Sequence, residues 1–159
     1  IAMALAGSPR LLIADEPTTA LDADTQAEVL DLLQSHITNK KMALLLITHD
    51  LAAAAAISEK MAVMYAGTIV EEGPTHLVTR PPAHPYTHAL LGAIPRPGAP
   101  LADIKGSPPD MSAPPPGCPF WPRCSQAMVI CKKAMPPSEA LDDNHHCRCW
   151  QLHPLAKQP

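Results

Sequence analysis

The pattern of apolar and polar positions divides the chain into two parts. Up to about residue 80, short apolar runs alternate with segments of helical period, and beyond it neither period persists. Leu11 to Ala14 is a continuous apolar run, which suits a strand covered on both faces of a parallel sheet. From Thr25 to about Thr38, Val29, Leu30, Leu33 and Ile37 recur at spacings of three and four, while Glu28, Asp31, Gln34 and Ser35 face elsewhere. That spacing predicts an amphipathic helix. Asn39-Lys40-Lys41 ends it, and Met42 to Ile47 predicts the next buried strand. Strand, helix and strand in this order imply a parallel crossover, which brings the carboxyl ends of both strands to one rim. Ser8-Pro9 reads as a turn before the first strand, Asp22 or Asp24 as a helix cap, and Ile1 to Gly7 as a short helix. Ala52 to Ala56 favour a further helix. Lys60 to Tyr65 and Thr68 to Glu71 then predict a hairpin turning at Ala66-Gly67, with Glu71 and Glu72 on a solvated edge and Pro74 opening a short helix.

The second part is set apart by proline: 13 of the 20 prolines lie between Pro81 and Pro122, so the α/β pattern cannot continue there. Ala83 to Leu91 predicts a connector helix opened by Pro85, with His84 and Tyr86 packed on it, and Pro95 to Pro116 a semi-rigid linker. Composition adds mainly exclusions. A net charge of −3 from 12 basic and 15 acidic residues, with 3% aromatics, offers neither a nucleic-acid surface nor a base-stacking platform. No apolar run approaches the roughly 20 residues of a membrane span, so a membrane role would go through a partner. The length of 159 residues allows one modest domain, or a small domain with an appendage.

The candidate chemistry begins where the first strand ends. Asp15 and Glu16 emerge at its carboxyl end, where open α/β sheets bind ligands, and Pro17 stops the strand there. Two carboxylates this close repel unless a cation is shared. One can hold Mg²⁺, directly or through water, while the other orients an attacking water. A bare Asp-Glu pair more often caps a turn, so the residues that follow decide its meaning. They are Thr18-Thr19-Ala20-Leu21-Asp22 and, one helix later, the apolar run Leu44 to Ile47 ending in Thr48-His49-Asp50.

In this order and at this distance, DEPTTALD and ITHD resemble the Walker B, D-loop and H-loop segments of the ATP-binding cassette (ABC) ATPases. A helicase-type DEAD box lacks the ALD and ITHD. The resemblance implies an α/β fold, part of a P-loop NTPase parallel sheet with helices, followed by a small irregular cysteine-rich carboxyl-terminal domain. It implies that Asp15 holds Mg²⁺, that Glu16 is the general base for the hydrolytic water, that Asp22 makes the D-loop contact across a nucleotide sandwich, and that His49 is the switch histidine at the γ-phosphate. By the same alignment the chain starts just after the signature motif. The phosphate-cradling Walker A loop, the Q-loop and the signature are absent, so the chain is expected to be the carboxyl-terminal part of a longer protein and inactive alone. The His84-Pro85-Tyr86-Thr87 segment is similar to the extension of the oligopeptide, dipeptide and nickel importer ATPases.

All five cysteines lie in the last 42 residues, as Cys118, Cys124, Cys131, Cys147 and Cys149 in the spacing C-x5-C-x6-C-x15-C-x-C. A transporter ATPase works in the reducing cytosol, where disulfides are disfavoured. Thiols this dense, interrupted by Pro119, Pro122, Pro136 and Pro137, make a poor core of their own, and a metal would stabilise the segment. Thiolate sites suit zinc and iron–sulfur clusters alike, and the absence of a C-x2-C knuckle departs from an ordinary zinc ribbon. Gly117 to Cys131 is similar to the tail of peptide-importer ATPases, some of which carry a four-iron four-sulfur cluster. That resemblance implies Cys118, Cys124, Cys131 and Cys149 as ligands, with Cys147 the possible alternate and Zn²⁺ the alternative metal. His145 and His146 could replace a thiolate in a zinc site, although such pairs are commonly solvated.

The sequence is thus identified as a member of the ABC ATPases that energise import of di- or oligopeptides, using ATP and Mg²⁺. Its expected divisions are 1–80 for the ATPase part, 81–116 for the connector helix and linker, and 117–152 for the cysteine-rich extension. Expected partners are a second ATPase subunit, two membrane permeases and, indirectly, a substrate-binding protein, at the cytoplasmic face of the inner membrane and with no nucleic acid. The alternatives are a non-catalytic metal-binding interaction module, or the same ATPase serving nickel or antimicrobial peptides.

Overall fold

A computed structural model of the chain describes residues 1–95, 103–142 and 144–154. The chain divides into two compact units, Ile1–Ser58 and Glu59–Pro159, each mixing helices and strands.

In the first unit, α1 (Ala2–Leu5), β1 (Leu11–Asp15), α2 (Ala23–Lys40), β2 (Ala43–Ile47) and α3 (Leu51–Ile57) follow in order. β1 and β2 pair in parallel, from Leu11 beside Ala43 to Asp15 beside Ile47. Of the two candidate caps, Asp22 takes the position before α2, accepting from Thr25 N, and Lys41 closes the helix in the left-handed region. Asp50 caps α3 through the amides of Ala52 and Ala53. Leu5, Leu12, Leu33 and Met42 form the core, with Val29 and Leu44 packed against it. The expectation of strands buried on both faces needs correction. Leu12 and Ala14 are buried, whereas Leu11, Ile13, Leu45 and Ile47 are 55%, 61%, 50% and 46% exposed. The apolar stripe of α2 covers one face, and among the described residues nothing covers the other.

The second unit contains β3 (Lys60–Tyr65), β4 (Thr68–Pro74), α4 (Thr75–Thr79), α5 (Pro85–Ala93), α6 (Val129–Lys133), β5 (Glu139–Asp142) and β6 (His145–Cys147), with single 3₁₀ turns at Trp121–Arg123 and Trp150–Leu152. Its sheet runs β3-β4-β6-β5 and is antiparallel throughout. The segment beyond Gly117, expected to be irregular, therefore gives two strands to the sheet, and Glu71 and Glu72 of β4 pair with Cys147 and His146 of β6. Those strands are only four and three residues long and largely polar, too short to show a period of two. The divisions expected after residues 80 and 116 both fall inside this unit. Residues 96–102 of the expected linker lie outside the described residues. Arg123 fixes its later part, donating to the carbonyls of Ile104 at 2.7 Å and Lys105 at 3.1 Å. Tyr65, Tyr86 and the single Phe120 meet with ring centroids 4.5 to 5.3 Å apart and form one aromatic cluster. No helix among the described residues is long and apolar enough to cross a membrane.

The hairpin turn at Ala66-Gly67 has φ of 47° and 74° at its two central residues, the double left-handed geometry of the tight turns that suit twisted strands. Gly67 takes this at no steric cost, but Ala66 does not. Ala66→Asn is expected to raise the urea midpoint of the chain by an amount worth up to about 1 kcal/mol, and a fall in the midpoint would contradict this account of the turn.

Candidate functional site

The parallel pairing of β1 and β2 brings their carboxyl ends side by side, and the amide of Glu16 donates to Ile47 O at 2.8 Å just past them. Glu16 itself has φ of 47°, uncommon for a residue with a side chain, and this turns the carboxylate out of the strand direction towards β2. The carboxylate accepts from His49 N at 3.0 Å, meets His49 Nδ1 at 2.9 Å from both oxygens, and accepts from Thr19 Oγ1 at 2.8 Å. The hydrogen bond from His49, helped by Thr19, holds the Glu16 carboxyl below its ordinary value of 4.5. The hydrogen bond and charge of Glu16 hold His49 above its ordinary 6.5. Both side chains remain open, His49 at 77% exposure.

Asp15 and Asp22 lie outside this contact. Asp15 ends β1 on the uncovered face, and a Mg²⁺ ion, which binds through one or two carboxylates and keeps its waters, would find a free carboxylate there. Asp22 is engaged in capping, accepting from Thr25 N at 3.0 Å and Thr25 Oγ1 at 2.9 Å, and these bonds lower its pKa below the ordinary 3.8. Gln26 of α2 donates to Asp50 at 2.7 Å, joining the start of α2 to the cap of α3. A cavity of about 330 Å³ lined by Leu5, Ser8, Pro9, His36 and Met42 lies at the opposite end of the strands, away from this chemistry.

The cysteine segment makes a second candidate site. Cys118, Cys124, Cys131 and Cys149 line one small cavity, with His84, Phe120, Trp121 and Trp150 among its other walls, and Cys147 is not among them. Cys118 N donates to Cys131 O at 2.8 Å, which brings two of the thiols' segments together. Gly117 makes that approach possible, since a Cβ there would collide with the Cys131 carbonyl. Trp150 Nε1 donates to Ala134 O at 2.9 Å and Gln151 Nε2 to Gln126 O at 2.9 Å, tying down the residues after Cys149. Burial pushes the Cys118 thiol up to about 11 and raises Cys124 and Cys149 as well, so metal binding here would release protons. Cys147 is 1% exposed and is raised by burial and by the charge of Glu71. Among the described residues, no three His, Cys, Asp or Glu side chains converge to hold one ion. Thiolates are ligands that zinc and iron–sulfur clusters share, so the donor set by itself suits either.

Comparison with known proteins gives the kinship of the chain. Residues 70–131 match the model of the oligopeptide/dipeptide transporter carboxyl-terminal region. The dipeptide transport ATP-binding protein DppD of Bacillus subtilis is 46% identical over 153 residues, which are 94% of this chain and 46% of that protein. The chain belongs to the ATP-binding subunits of the peptide ABC importers. The oligopeptide transport ATP-binding protein OppD of Salmonella typhimurium is 47% identical over 154 residues, covering 95% of the chain and 46% of its own length. A putative peptide import ATP-binding protein of Brucella ovis is 46% identical over 162 residues, at 95% and 48%. The chain spans about half the length of the curated relatives it matches and corresponds to the carboxyl-terminal part of these peptide-importer subunits.

Two residues that sequence reasoning placed in solvent are buried instead. Glu71 is 1% exposed and accepts from Ala83 N at 2.7 Å, His84 N at 3.0 Å and His145 Nε2 at 2.9 Å. His145, read as one of a solvated pair, is 6% exposed through that contact. Glu71 follows Val70 and precedes Glu72 and Gly73, so nothing in its neighbours marks it as internal; its partners are 12 to 74 residues away. His84 packs as expected of a connector residue. It is 2% exposed, its Nδ1 accepts from Tyr86 N at 3.0 Å, and burial pushes it down to about 4.

The Glu16–His49 contact has a defined pH window. Its contribution is complete between 4.5 and 6.5, the two ordinary values. It is lost below as Glu16 takes up a proton and above as His49 releases one. An NMR titration is expected to place the midpoint of His49 above 6.5, and Glu16→Gln to return it to about 6.5. A midpoint unchanged by Glu16→Gln would contradict the contact.

Proposed function

We propose that the chain is part of an ATP-hydrolysing subunit that energises the import of di- or oligopeptides. The observation that carries this reading is the Glu16–His49 contact at the ends of two parallel strands, one residue beyond the free Asp15 carboxylate. In the proposed roles, Asp15 would hold Mg²⁺, which would supply charge neutralisation at the phosphates when bound. Glu16 accepts the proton of the water that attacks γ-phosphorus as the bond to the ADP oxygen breaks. His49 keeps Nδ1 on Glu16 and offers Nε2 to the γ-phosphate, and its raised pKa favours the form that donates from both nitrogens. Asp22 contributes across a nucleotide sandwich from the start of α2. The reading takes residues 1–80 as the ATPase part, 81–116 as connector and linker, and 117–152 as the cysteine-rich extension. It places the complete subunit with a second ATPase, two permeases and, indirectly, a substrate-binding protein, peripherally at the cytoplasmic face of the inner membrane.

In this reading Cys118, Cys124, Cys131 and Cys149 would hold a four-iron four-sulfur cluster, and Cys147 would stay a thiol. The cluster would supply cross-linking between segments and one-electron chemistry. Support comes from the four thiols bordering one cavity that Cys147 does not reach. The protein's own residues supply the surroundings: Phe120, Trp121 and Trp150 keep the cavity apolar, which limits water and raises the cost of charge there.

The chain carries no glycine-rich loop with a Lys to cradle phosphates, so alone it is expected to leave ATP intact. Joined to the preceding half of a peptide-importer subunit, it is expected to support turnover that Glu16→Gln lowers by about 10²- to 10⁴-fold, the usual share of a general base. A phosphate-release assay on both forms checks this. ATP turnover by the chain alone, or wild-type turnover in Glu16→Gln, would contradict the proposed roles.

A further inference from the structure

Glu71 is a buried carboxylate whose partners come from separate segments, and each segment leads directly into the wall of the cysteine cavity. Its two oxygens accept the amides of Ala83 and His84, and His84 and Pro85 are wall residues. On the other side it meets His145 at 2.9 Å, the backbone of Glu71 pairs with Cys147, and Arg148 N donates to Val70 O at 2.8 Å. The next residue is Cys149, the thiol farthest in sequence from the other three of the cavity. Gly73, two residues on, packs so close to Asn144 and His145 that a Cβ there would stand 3.1 Å from both, so β4 and β6 already lie at their closest approach.

A buried carboxylate is a costly way to join two segments, because desolvation must be offset by well-placed donors, and an apolar contact would do the same for stability alone. What a carboxylate adds is geometry. It accepts only from donors at set places, so it fixes spacing and register where apolar packing tolerates sliding.

We propose that Glu71 is the positioning residue of the thiol cavity: its carboxylate holds the His84–Pro85 wall and the strand leading to Cys149 at one spacing, so that the fourth thiol meets the other three. The inference gains its functional meaning from the reading of the cavity as a metal–thiolate cradle, but the placement of Cys149 can be tested without metal. In Glu71→Gln the side chain keeps its shape yet turns an NH₂ towards donors that need an acceptor, the Ala83 amide and His145 at one oxygen's place or the His84 amide at the other's, and the link between the His84–Pro85 wall and the strand leading to Cys149 loosens. Cys118 and Cys131 remain joined by their own backbone bond at 2.8 Å.

The test is residue-resolved alkylation of the reduced, metal-free chain by mass spectrometry, followed by iron–sulfide reconstitution and chelator-driven iron loss. In Glu71→Gln, Cys149 is expected to react roughly tenfold faster than in the wild type, as local opening of one segment requires. Cys118 and Cys131 are expected to stay within about twofold of their wild-type rates, since openings are confined to contiguous segments. Reconstituted iron is expected to be lost about 10- to 100-fold faster, the usual effect of removing a group that orients metal ligands, with a changed visible spectrum. Val70→Ala, which removes buried side chain from the same strand without touching the carboxylate, is the control for a general loss of stability. Equal rates in Glu71→Gln and Val70→Ala, or a uniform rise at all cavity thiols, would overturn the proposal. If neither the wild type nor the variant takes up iron, the metal reading fails and the Cys149 rate alone decides the positioning role. Should Glu71→Gln not fold, His145→Gln, which weakens one of the three contacts, carries the same comparison.

Discussion

The buried carboxylate of Glu71 is the contact on which the second unit depends. That unit has many prolines and five cysteines, and it buries Met61, Val63, Tyr65, Val70, Val78 and Phe120 around this polar contact. A hairpin, a connector helix and a strand whose His145 lies 74 residues from Glu71 also meet at this one polar group with three donors. Leaving any one of those partners unmatched in the interior costs about 1 to 3 kcal/mol, a sizeable fraction of the net stability of a small domain. The aromatic cluster of Tyr65, Tyr86 and Phe120 packs beside it, with Phe120 and His84 shared between the cluster and the cysteine cavity. The fold and the cavity are therefore built from the same few contacts.

The first unit works by a different division of labour. Its core is a plain layer of α2 on β1 and β2, and the polar groups collect at the strand ends, where Glu16 leaves the strand at a positive φ to reach His49. Two adjacent carboxylates are thereby given different surroundings. One is held by a histidine and a threonine, and the other lies outside that contact. The histidine is held through Nδ1, and Nε2 takes no part in that contact. Apolar Leu11, Ile13, Leu45 and Ile47 stand exposed on the opposite sheet face, as a strand pair with helix cover on one side only must leave them.

Much of this was legible in the sequence wherever a period or a turn residue carried the information. The apolar runs marked β1 and β2, the three-and-four spacing marked α2 to within two residues at each end, and Ala66-Gly67 marked the hairpin. The order of Glu16 and His49 at the ends of successive parallel strands was enough to bring them to one rim. A continuous apolar run reports what a segment can pack against, and among the described residues of this chain only one face of the strand pair is covered. β5 and β6 were missed because three or four mostly polar residues have no readable alternation. Glu71 and His145 were placed in solvent because charged residues usually are, and only partners distant in the chain reverse that preference. Neither residue has a local signal that would have shown this.

In the proposed function, four particular thiols of the carboxyl-terminal unit act together and the fifth does not. Iron and acid-labile sulfide should be quantified, with a visible spectrum, on chain purified without oxygen, as the wild type, Cys149→Ser and Cys147→Ser. The account predicts about four irons and four sulfides per chain with absorbance near roughly 400 nm, retained in Cys147→Ser and lost in Cys149→Ser. Iron retained in Cys149→Ser but lost in Cys147→Ser, or no iron in any of the three, would contradict it.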